Sequence, residues 1–201
     1  MSRIAPGGLR LTRSVMNTET QDGTRPDSPT PPPFKPRRFV VFFVALYLVF
    51  HGLYLLVPDK LLRETIYPSL VGSVSVAMIN GIEPNANARA EMNSVKSRRA
   101  QLDIVRGCDG SGVVFIVAAA TLAFATSLRR KLIGLLLGLA LVYVINQIRI
   151  VGLYFVVANR VEWFPFLHTY LAPTLIIVLV CLYFSWWTRW AGQPAPDAAA
   201  G

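Results

Sequence analysis

The chain has 201 residues, 53% of them apolar and only 15% charged, with a mean hydropathy of +0.46. That balance, with the apolar residues gathered into long blocks, excludes an ordinary soluble domain. The net charge of +9 would suit nucleic acid in a soluble protein, but there is no compact basic domain and much of the charge stands beside apolar blocks, so membrane lipid head groups, and no nucleic acid, are the expected counterpart.

Residues 1–38 are rich in Pro, Ser, Thr and Gly and end on Lys35, Arg37 and Arg38. They hold too little apolar surface to fold alone and read as a disordered basic tail. The first apolar block begins too late for a cleaved leader. Residues 39–57 are long and apolar enough to cross a bilayer, interrupted by His51 and Gly52 and stopped by Pro58-Asp59-Lys60. Residues 61–82 mix apolar positions with Ser69, Ser73, Ser75 and Pro68, which predicts an interfacial or partly buried helix rather than a span. Residues 83–106 are polar and mixed in charge, and the alternation Gln101-Leu102-Asp103-Ile104-Val105 predicts a short strand leading to Cys108.

Three further spans follow: residues 113–128, bounded by Arg129-Arg130-Lys131; residues 132–157, with Asn146, Gln147 and Arg149 about two-thirds of the way along; and residues 169–187, preceded by His168 and closed by Arg189. Residues 191–201 form a small-residue tail that reads as disordered. The expected fold is therefore all-α, one polytopic membrane helix bundle with about four transmembrane helices, an interfacial helix and a polar extracytoplasmic loop. The basic residues before the first span, between the second and third, and after the fourth fall on one side, which the positive-inside rule assigns to the cytoplasm. Lys60, Arg63, Arg89, Lys96, Arg98, Arg99 and Arg106 in the opposite loop weigh against that orientation without reversing it.

Chemistry concentrates at Val105-Arg106-Gly107-Cys108-Asp109-Gly110-Ser111-Gly112, where a glycine-flanked cysteine stands just before an apolar helix. Free N–H groups and the positive end of a helix dipole favour a thiolate and a developing oxyanion there. Cys181 lies deep in the last block, at another depth, so two free thiols are expected rather than a disulfide. Arg149, late in the third span, and His168, at the start of the fourth, reach the same outer depth as Cys108. Ionisable residues within spans are costly and usually have a role. Asn146, three residues before Arg149, either holds that arginine or bonds a neighbouring helix. His51 reads as structural. One Cys with one His offers too few ligands for a metal, and no cofactor is expected.

Cys108-Asp109-Gly110 before one span, Asn146-Gln147-Ile148-Arg149-Ile150 late in the next and His168 before the following one resemble the Cys-x-Gly, Asn-x-x-Arg-Ile and His elements of the exosortase/archaeosortase family, over residues 39–190. Members are polytopic membrane cysteine transpeptidases acting on proteins with a C-terminal sorting signal. The resemblance implies Cys108 as nucleophile, Arg149 as cationic partner and His168 as third catalytic member, with Asn146 and Gly110 supporting. It also implies substrate proteins with their own transmembrane helix, an acceptor that the sequence does not name, and a bacterial inner membrane with the site facing the periplasm. The shorter chain points to a compact subfamily of the M or H type. Asp109 departs from the Asn or Ser of many members, and a carboxylate beside the thiol should oppose thiolate formation. A non-catalytic membrane adaptor and a thiol-dependent lipid acyltransferase are the competing readings of the same residues.

Overall fold

A computed structural model describes residues 36–193. The tails expected at residues 1–38 and 191–201 lie outside it except at their inner ends. Pro36, Arg37 and Arg38 form the first turn of α1 (Pro36–Leu55), where a proline's missing N–H costs nothing. The last helix runs on to Ala191.

Among the described residues four helices are long and apolar enough to cross a membrane: α1, α2 (Asp59–Ile82), α4 (Leu128–Asn159) and α5 (Val161–Ala191). The shorter apolar helix α3 (Ser111–Ala123) packs against α1, α4 and α5. The chain is thus an all-α bundle with the composition of a membrane protein. None of the α1 residues is buried, and exposed Val40, Val41, Leu48, Leu136, Val144, Ile177 and Leu182 give the bundle an apolar outer surface, as hydrocarbon requires.

Two expected boundaries are corrected. The second span, expected at residues 113–128, ends as a helix at Ala123, because Phe124 turns extended (φ −69°, ψ 133°). Its ring packs edge-on against Trp187 at 5.4 Å, and the following Thr126 hydroxyl donates to the Ala191 carbonyl at 2.9 Å. The bend is thereby tied to the end of α5. The last span begins earlier than residue 169: α5 is helical from Val161, and His168 lies inside it, within a wider π turn at Leu167–Leu171.

By length α2 counts among the candidate spans, but its contacts hold both ends at one end of the bundle. Asp59 pairs with Arg106 at 2.7 Å, and that guanidinium also donates to the Tyr54 carbonyl at the end of α1. Beyond the other end, Glu83 pairs with Arg99, which donates to Asn159 at the end of α4 at 2.9 Å. Between them Ser75 donates to Gln147 at 2.7 Å and Tyr143 to the Leu70 carbonyl at 2.7 Å, so α2 lies along the final turns of α4. Pro68 has no N–H for the helix ladder, and it sits in a run of wide π turns, Leu62–Gly72.

The polar stretch after α2 folds as an antiparallel meander: β1 (Arg89–Glu91), β2 (Ser94–Lys96) and β3 (Gln101–Asp103), in the order β1-β2-β3. Val95, Leu102 and Ile104 are buried in one core with Ile79 of α2 and Ile150, Leu153 and Tyr154 of α4. The Tyr154 hydroxyl fixes the sheet by donating to Ser97 at 2.7 Å. β3 then runs into the Cys108 loop, as the alternation predicts.

Candidate active site

The Cys108 loop is held from three sides. Gly107 and Gly110 have φ of +86° and +83°, a region L side chains avoid. At Gly110 a Cβ would also stand 3.0 Å from Asn146. The Cys108 N–H donates to the Val105 carbonyl at 2.9 Å, and the Val113 and Val114 N–H groups both reach the Gly110 carbonyl at 3.1 Å. The loop therefore closes directly onto the start of α3.

Asp109 is the anchor beneath this loop. One carboxylate oxygen accepts from the Ser111 N–H at 3.2 Å and its hydroxyl at 2.8 Å. The other accepts from the hydroxyls of Tyr54 on α1 and Tyr67 on α2, the latter at 3.3 Å. These four donors make the carboxylate a tie between the loop and two helices, α1 and α2.

Above the loop the three predicted side chains meet. Cys108 Sγ lies 3.4 Å from His168 Nε2. The imidazole stacks on Phe164, one turn earlier in α5, with centroids 5.0 Å apart and planes 19° apart, and its buried Nδ1 has no hydrogen-bond partner among the described residues. Arg149 Nη1 donates to the Cys108 carbonyl at 3.4 Å, while its buried Nε has no hydrogen-bond partner among the described residues. Asn146 donates to the Asp109 carbonyl at 3.1 Å; of its two expected roles it takes the second, bonding a neighbouring element rather than Arg149. All five predicted site residues, Cys108, Gly110, Asn146, Arg149 and His168, thus converge.

Cys108, Arg149 and His168 border a cleft of about 200 Å³, lined also by Leu102, Asp103, Val105, Ile150 and Phe164. Cys108 is half-buried and both cysteines are free. His51 is elsewhere, stacked on Tyr47 at 5.8 Å and edge-on to Phe115 at 6.4 Å. Among the described residues no group of three or more His, Cys, Asp or Glu side chains is placed to hold a metal ion.

Tyr54, Tyr67 and Phe164 escape sequence reasoning, since aromatic residues near span ends are common as interfacial anchors and mark no site by themselves. Compared with protein-family models, with curated proteins and with solved structures, the chain matches none.

Proposed function

We propose that this chain is a membrane-embedded cysteine transpeptidase of the exosortase type, cleaving and transferring proteins that carry a C-terminal sorting signal at the outer face of a bacterial inner membrane. The observation that carries the proposal is the 3.4 Å approach of Cys108 Sγ to His168 Nε2, at the start of a helix and in a cleft that also holds Arg149. Nucleophile and base within reach of each other, with a cation beside them, are the parts that acyl transfer needs.

His168 Nε2 takes the thiol proton as Sγ attacks the scissile carbonyl carbon. The carbonyl electron pair moves onto oxygen, where Arg149, whose Nε has no partner among the described residues, supports the oxyanion. Collapse breaks the C–N bond, and His168 returns the proton to the leaving amine. The thioester on Cys108 is then resolved by an amine acceptor or by water, regenerating the thiol. A substrate with its own transmembrane helix lies beside the apolar bundle and presents its cleavage point at this end.

Membranes from cells making candidate substrates should yield an acyl adduct on Cys108, detected by mass spectrometry as a hydroxylamine-sensitive thioester. Cys108→Ala should abolish both adduct and processing while inserting normally. Cys108→Ser should be nearly as inactive, a hydroxyl being the poorer nucleophile near neutral pH. Processing at the normal rate in Cys108→Ala would overturn the enzyme reading.

A further inference from the structure

Among the described residues β3 pairs with β2 alone, so its second edge has no partner strand there. The direction of its backbone groups follows from the register. The Ile104 N–H donates to the Asn93 carbonyl and the Ser97 N–H to the Ala100 carbonyl, while Leu102 stands opposite Val95. In an antiparallel ladder such pairs recur every second residue. Ile104, Leu102 and Ala100 therefore turn their N–H and C=O groups toward β2. Gln101 and Asp103 turn theirs outward, as does the N–H of Val105, whose carbonyl is taken by Cys108.

That outward edge borders the reactive groups. Asp103 and Val105 line the same cleft as Cys108, Arg149 and His168, and the chain turns from Val105 to bring the thiol to the end of the edge. We infer that the free edge of β3 docks the polypeptide on which the enzyme acts: an extended substrate segment adds as a fourth strand and so carries its scissile carbonyl to Cys108. This rests on the transpeptidase reading of the site. A polypeptide backbone offers donors and acceptors in the matching alternation, whereas a lipid acyl chain would cover the edge and leave its polar groups unpaired. Backbone recognition supplies alignment, and the small apolar cleft beneath it, with Leu102, Ile150 and Leu153, takes the side chain beside the cleavage point.

The test uses the full-length wild-type protein in detergent and a set of acetyl-tetraalanyl chloromethyl ketones, each methylated at a different peptide nitrogen. Cys108 Sγ displaces chloride and forms a thioether. Labelling rates are divided by those for chloroacetamide, which has no peptide to align. Methylation at alternate nitrogens should slow labelling about tenfold, the size of one lost hydrogen bond, with little effect at those between. Asp103→Pro, which loses an outward N–H donor but keeps its carbonyl and the ladder groups of Leu102 and Ile104, should slow labelling by the unmethylated peptide about tenfold relative to Asp103→Ala, which keeps that N–H. A flat profile in the wild type, a peptide reagent no faster than chloroacetamide, or a proline variant labelled by the peptide as fast as the alanine variant would each overturn strand addition. Failure of the underlying reading has a different signature, continued processing by Cys108→Ala.

Discussion

Arg149 is the residue whose geometry separates catalysis from anchoring. An arginine that only snorkels to head groups is replaceable by lysine, which keeps the charge and the reach. Here the guanidinium is turned to the Cys108 carbonyl and keeps a buried Nε without a partner among the described residues, a fork at the lining of the cleft. Lysine would present one mobile point charge in its place. Arg149→Lys should therefore insert normally yet lose ~10²–10³ in turnover, about 3–4 kcal/mol of transition-state stabilisation, the scale of one lost oxyanion donor. Single-turnover processing against Cys108 labelling by chloroacetamide measures it; a wild-type rate would reduce Arg149 to an anchor. At this scale the sequence was legible where chemistry is rare in its setting, as with a cysteine at a helix mouth or an arginine in a span. It was silent on Asp109, whose donors Tyr54 and Tyr67 lie 55 and 42 residues away in the chain. Adjacency to Cys108 suggested opposition to the thiolate, and only the fold turns the same carboxylate into a clamp.

Between elements, the seam of α4 and α5 depends on residues with no side chain to spare. A Cβ at Gly134 would stand inside the Trp187 indole, which is fully buried and donates to the Arg130 carbonyl at 3.3 Å. Gly138 faces Val117 and Tyr183 somewhat less closely, a Cβ there falling 2.6 Å and 2.9 Å from them. Gly134→Ala gains helix propensity but must push the indole aside, and overpacking of this kind costs about 1–3 kcal/mol. A lower thermal midpoint in detergent is expected, and an unchanged or higher one would show that the seam yields. In the meander, the Ser94 hydroxyl, donating to Asp103 at 2.6 Å, and then the Gln101 amide hold the Asp103 carboxyl below its ordinary value. A depressed folded value means that the contribution is present above the unfolded pKa near ~3.9 and fades as pH falls through the lower folded one. Ser94→Ala should move the Asp103 titration, followed by carboxyl carbon shifts, upward; no movement would assign the depression to other groups. Apolar block length made the bundle readable, and alternation found β3. The break at Phe124 was hidden because the contact its ring makes there, with Trp187, is on another helix, and the early start of α5 because residues 161–168 look like interfacial loop in composition.

Across the whole molecule the two ends of the bundle differ in charge and chemistry. Phe39 next to Arg38 stacks on Phe184 at 6.3 Å, Phe184 packs tilted against Trp187 at 5.7 Å, and Trp187 bonds the Arg130 backbone. The basic ends of α1, α4 and α5 thus gather at one level. Lys131 closes the same level by donating to the Leu122 carbonyl of α3 at 2.6 Å. Cys108, Arg149 and His168 lie at the opposite end, with the meander and both ends of α2. If the basic end is cytoplasmic, as proposed from the positive-inside rule, a membrane-impermeant maleimide added to intact spheroplasts should label Cys108 through its open cleft. Cys181 should stay unlabelled although its side chain is exposed on the protein, because it lies 13 residues beyond His168 in α5, ~20 Å along the helix, where hydrocarbon covers it. The Cys108→Ala and Cys181→Ala single variants assign the signal to one thiol. Labelling of Cys108 only after the membrane is breached would invert the orientation and put the acyl transfer on the cytoplasmic side, where an exported substrate could be reached only before its translocation.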